Sequence, residues 1–87
     1  MPLKLIVNNP NGLLTRREAE TLPLVALGKD NEEIGICLGI SPCTARDHVC
    51  HAMEKLHAAN RTHLVTEAFR LHVLEFLCLL LMVQGGM

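Results

Sequence analysis

The stretch from Ile34 to Val49 constrains this chain more than any other part of it. It reads as a short helix, a tight turn through Gly39, and a second helix whose start is marked twice. Ser41 is a good N-cap, its hydroxyl able to accept a free N–H of the first turn. Pro42 follows at the first helical position, where its missing N–H costs nothing. Two helices joined this closely meet at a steep angle with their backbones near each other. Gly35 provides a residue without bulk on the first helix and Gly39 a permissive turn. Ile34, Leu38, Ile40 and Val49 provide the inward apolar face. That is a helix-turn-helix layout. An ordinary helical hairpin meets the same spacing, and spacing alone does not separate the two.

The flanking segments extend this to four helices. Thr15 and Glu18 form the sequence signature of a capping box, with Leu14 placed to staple the first turn. Helix 1 carries Leu22, Val25, Ala26 and Leu27 on its apolar face and stops at Gly28. Pro23 lies inside it and forfeits one backbone bond. Helix 2 is expected to open with Asn31 as its cap, with Glu32 and Glu33 complementing the dipole. Helix 3 runs from Pro42 to about Leu56, its Ala45, Val49, Ala52, Met53 and Leu56 spaced at three and four. Helix 4 is expected to begin near Arg61 and to continue, with no internal breaker, until Gly85.

Composition supports an all-α class. The 87 residues suffice for one small core. Apolar residues make up 49% of them, yet the aromatics are Phe69 and Phe76 alone, so Leu, Ile, Val, Ala and Met must do the packing. Such a chain is too apolar for disorder and too poor in aromatics and turn residues for a β-sandwich. Eight Lys and Arg stand against nine Asp and Glu, so any nucleic-acid role rests on where the charges sit, since net charge gives no attraction. Cys37, Cys43, Cys50 and Cys78 form no CxxC pair, and Met1 to Val7 is too short for a secretion signal; reduced thiols in a cytoplasmic protein are expected. Residues 1–13, with the breaker cluster Asn8-Asn9-Pro10-Asn11-Gly12, read as a leader or linker remnant.

The residues themselves go further than the spacing. Leu14-Thr15-Arg16-Arg17-Glu18-Ala19-Glu20 resembles the opening of the LuxR/GerE-type helix-turn-helix domain. Asn31-Glu32-Glu33-Ile34-Gly35, Leu38-Gly39-Ile40-Ser41-Pro42-Cys43-Thr44, His48-Val49, Lys55-Leu56 and Asn60-Arg61-Thr62 follow in the same order. The resemblance covers about residues 13–70 and places the domain itself at 14–70. It implies a DNA-binding transcriptional regulator that needs no cofactor, with helix 3 in the major groove and a homodimer formed through helix 4. By position, Ser41 and Thr44 resemble phosphate contacts, Arg46, Asp47 and Cys50 resemble base-facing residues, and Lys55 and Arg61 resemble backbone-side cations. RNA polymerase or another regulator is a further partner class.

Three residues depart from that pattern. Glu32 stands where the family usually has Lys, Asp47 brings a negative charge to the groove-facing surface, and Cys50 replaces a common polar reader. Each lost cation lowers the salt-dependent part of affinity. The competing class is therefore a protein-interaction module, an adaptor or antagonist that keeps the fold. His48, Cys50 and His51 crowd one stretch, but Cys50 falls on a different face and no fourth ligand is near, so no metal site is expected. A Cys–His pair without an oxyanion-hole or third-member signature gives no reason to expect an enzyme either. The segment 71–87 is expected to form an apolar helical extension for oligomerisation, with no membrane role. Its run Phe76–Val83 is far shorter than the roughly twenty residues that span a bilayer. Leu64 and Ala68 before it, with Leu71, Leu74, Phe76, Leu77 and Leu80 within it, are the expected oligomerisation contacts, and the body through Arg70 is expected to fold without the extension.

Overall fold

The computed structural model describes residues 5–7 and 12–76. Four helices make the body: α1 (Arg16–Ala26), α2 (Asn31–Leu38), α3 (Pro42–Lys55) and α4 (Arg61–Arg70). Two three-residue strands, β1 (Leu5–Val7) and β2 (Leu74–Phe76), form an antiparallel ribbon in which Ile6 pairs with Glu75. Leu14, Leu22, Val25, Ile34, Val49, Leu56, Leu64 and Leu74 are buried in one core, with Ala45, Ala52 and Ala68 allowing the helices to come close.

The helix starts follow from short polar side chains. Thr15 and Glu18 form the expected capping box, and Ser41 Oγ accepts from the Thr44 N–H at 3.1 Å. The start of α2 differs from expectation by one residue. Asp30 is the cap, because its carboxylate accepts from the Glu33 N–H at 2.8 Å while Glu33 accepts from the Asp30 N–H at 3.0 Å. Asn31 is then the first helical residue, and its side chain is left for another partner. Asn60 caps α4, accepting from the His63 N–H at 2.8 Å.

The helix ends share one device. After α1, Gly28 takes φ +83° and the next N–H, of Lys29, reaches back to the Leu24 carbonyl. Gly39 does the same after α2, and His57 (φ 56°) after α3. At the end of α4, His72 (φ 60°) turns the chain, its N–H donating to the Phe69 carbonyl at 3.1 Å and that of Val73 to Ala68 at 2.8 Å. This pair of bonds is the Schellman stop, which satisfies the last carbonyls of the helix.

That stop overturns the long fourth helix. α4 ends at Arg70 and the chain turns to bury Val73 and Leu74 before Leu74–Phe76 pairs with β1. A helix continuing past Arg70 would have left both residues off the core. Leu64 and Ala68, expected at a dimer contact, are fully buried within their own chain, as is Leu74, whereas Leu71 is exposed. Phe76 is the last residue of the strand; Leu77 and Leu80 lie outside the described residues. Within the segment expected to be a leader or linker remnant, Leu5–Val7 forms the first strand of the ribbon.

Candidate nucleic-acid interface

The α2–α3 pair is closed by the absence of one side chain. A Cβ built on Gly35 would stand 2.6 Å from the Ile40 carbonyl oxygen and 3.4 Å from the Pro42 nitrogen. Only glycine lets the turn fold back that far, and the Gly35 carbonyl uses the proximity to accept the Ile40 N–H at 2.9 Å. With the angle set by this contact, α3 buries Ala45, Val49 and Ala52. At about 100° per residue, Cys43, Asp47, Cys50 and Glu54 fall on the opposite meridian, with Arg46 beside them.

The predicted reading residues are brought together here. Ser41, Thr44, Arg46 and Asp47 are exposed and Cys50 is half-buried. Ser41 Oγ also donates to Thr44 Oγ1 at 2.9 Å, so the two hydroxyls form one unit at the helix N-terminus. Arg46 Nη2 lies 3.5 Å from Asp47 Oδ1, with both side chains more than half exposed. This pair is weak in water and leaves the guanidinium free to exchange it for a better acceptor.

Lys55 and Arg61 sit elsewhere. Lys55 Nζ donates to Glu18 Oε1 at 2.6 Å, and Glu18 is only 4% exposed. The same carboxylate accepts the Thr15 N–H at 3.0 Å and has His51 Nδ1 3.8 Å from its other oxygen. Burial pushes the Glu18 carboxyl up, but the Lys55 and Thr15 hydrogen bonds, with the nearby Lys55 and His51 charges, outweigh it and hold the group below its ordinary value. Glu18 thus ties the first turn of α1 to the last turn of α3. Arg61 is a second strut. Its guanidinium donates to Asn31 Oδ1 at 2.8 Å and to the Lys29 carbonyl at 2.7 Å, joining α4 to the α1–α2 turn. A third is Arg17, whose Nη1 donates to the Leu38 carbonyl at 3.2 Å.

Sequence reasoning gave Glu18 its capping role and missed its ionic one. The partner is 37 positions away, and nothing local to either residue announces it. On the outward side of α2, Glu32, Glu33 and Cys37 are exposed around Ile36, which is 82% exposed. His48 is half-buried, and among the described residues no group of three His, Cys, Asp or Glu side chains is arranged to hold a metal ion. Also among the described residues, no helix is long and apolar enough to cross a membrane.

The sequence matches known proteins. Residues 12–68 match the GerE family, the bacterial regulatory proteins of the luxR family. The chain is 37% identical over 71 residues to the transcriptional activator protein CarR of Pectobacterium carotovorum subsp. carotovorum, covering 82% of this chain and 29% of that protein. It is 39% identical over 69 residues to the oxygen regulatory protein NreC of Staphylococcus carnosus, covering 79% and 32%. With the transcriptional regulatory protein LiaR of Bacillus subtilis it is 40% identical over 66 residues, covering 76% and 31%. The chain therefore spans about a third of the length of these curated relatives. With two-thirds of its residues inside the family's bounds and a Gly35-closed α2–α3 pair at its centre, the chain belongs to the luxR family of bacterial regulatory proteins.

Proposed function

We propose that this chain is the DNA-binding part of a transcriptional regulator and that α3 enters the major groove of double-stranded DNA. The observation that carries the reading is the pairing of α2 and α3 across Gly35, which turns the face bearing Cys43, Arg46, Asp47 and Cys50 away from the core. Ser41 and Thr44, at the positive end of the α3 dipole, suit a phosphate oxygen. Arg46 suits a guanine edge and Asp47 the amino group of cytosine, while Cys50 adds only a small apolar contact. Lys55 and Arg61 serve by holding α3 and α4 in place, since both have internal partners. Two copies pair through the outward side of α4, where Thr62, Val65 and Thr66 retain exposure, with Leu71 beyond the helix end.

A second reading, a protein-interaction module, has one observation in its favour. Ile36 projects from α2 among Glu32 and Glu33, on a helix where a DNA-binding surface would place cations. Selection from a pool of random duplexes, followed by titration at low and moderate salt, decides between them. The DNA reading expects an enriched motif and an affinity that falls with salt. No enrichment and no binding at low salt would leave the interaction module.

A further inference from the structure

The reading face carries two thiols, of which the proposed function uses Cys50 for no more than a small apolar contact and Cys43 not at all. Cys43 is exposed and Cys50 partly so, and both are free. They are seven residues apart on α3, so they share a meridian, the one between Arg46 and Asp47 and opposite the buried Ala45, Val49 and Ala52. Seven residues at about 1.5 Å each separate their backbones by roughly 10 Å, beyond the approximately 7 Å a disulfide can bridge. An internal Cys43–Cys50 bond is therefore excluded while α3 is intact, and each thiol is left to react with a partner from solution.

We propose that Cys43 and Cys50 are sites of thiol–disulfide exchange with a low-molecular-weight disulfide of the glutathione class, and that loading them removes α3 from DNA. This rests on the DNA-binding reading of α3. In the exchange, the sulfur of Cys43 or Cys50, having given up its proton, attacks one sulfur of the small disulfide. A protein–sulfur bond forms as the small S–S bond breaks, and the departing half leaves with the electron pair as a thiolate that takes up a proton. The protein thiol is oxidised and half of the small disulfide reduced. The adduct brings two carboxylates and one ammonium to the centre of the reading face. It both fills the space a base edge needs and repels phosphate. A reducing thiol reverses the reaction.

The test uses the whole chain, glutathione disulfide as the probe, peptide mass mapping and DNA titration before and after treatment. Each variant is compared with its own reduced form, so any effect of a serine on basal binding cancels. The expected result is adducts on Cys43 or Cys50, a loss of affinity of at least about tenfold, and full recovery with dithiothreitol. In C43S/C50S the ratio of reduced to treated affinity should return to one, even with Cys37 loaded. Adducts on Cys43 or Cys50 with unchanged affinity would overturn the proposal, as would exchange confined to Cys37 or Cys78. A reduced protein that binds no DNA would overturn the reading of α3 itself and with it the switch.

Discussion

Replacing Gly35 by alanine adds one methyl group at the tightest point of the fold. The new Cβ would stand 2.6 Å from the Ile40 carbonyl oxygen, about 0.8 Å inside ordinary contact. The obstacle is backbone, and that backbone is itself fixed by the Ile40 N–H donated to the Gly35 carbonyl. No rotamer change relieves it, so α2 must tilt or the turn must open, placing the cost near the upper end for overpacking, about 3 kcal/mol. Alanine returns about 1 kcal/mol through its better helix propensity. The net loss is about 2 kcal/mol, which for a domain of this size lowers the melting temperature by roughly 8–16 °C. Circular dichroism melts of the wild type and Gly35→Ala check this, with Gly28→Ala as a comparison. Gly28 has open space around its missing Cβ, so only its positive φ opposes the change. If Gly35→Ala melted at or above the wild-type temperature, the close approach of α2 and α3 would be wrong.

Four further outcomes follow from particular contacts. Glu18→Gln should lose about 2 kcal/mol at neutral pH, read by urea denaturation, because Lys55 then faces a neutral amide at a nearly buried site. Because Glu18 titrates below its ordinary value of 4.5 when folded, its contribution is present above that pH and fades as pH falls through the folded value; the variant should show a flatter acid limb. Arg61→Ala removes the bonds to Asn31 and Lys29 and should speed hydrogen exchange at the α1–α2 turn, as mass spectrometry can follow, while leaving the α3 N-terminus protected. Truncation after Arg70 deletes the buried Val73 and Leu74, each worth about 1.5–3 kcal/mol, so the shortened chain should melt far lower or fail to fold, as circular dichroism would report. Glu32→Lys should strengthen binding to random duplex and steepen its salt dependence in anisotropy titrations.

The four helices were legible where short-range chemistry marks them. Thr15 with Glu18, Ser41 with Pro42, and Gly28 and Gly39 state their boundaries in neighbouring residues. The end of α4 was not legible because the residue in the left-handed conformation is His72, which carries no glycine signal, and the apolar residues after it fit a helix or a strand equally well. Leu74 then reads as an exposed contact in a helix and as core once the chain turns. The outward face of α3 was legible because helical periodicity fixes which of its residues oppose Ala45 and Val49. The struts were not. A lysine or arginine looks alike in sequence whether it meets phosphate or a carboxylate tens of positions away, and only the packing of α1 against α3 assigns Lys55 to Glu18.

Methylation interference on a selected duplex tests the central claim most directly, because guanine N7 is exposed only in the major groove. With α3 in that groove, methylating a guanine read by Arg46 should abolish binding, and Arg46→Ala, weaker by about 1–3 kcal/mol, should lose interference at that base alone. Tight, sequence-selective binding that ignores N7 methylation throughout the site would contradict the placement of α3.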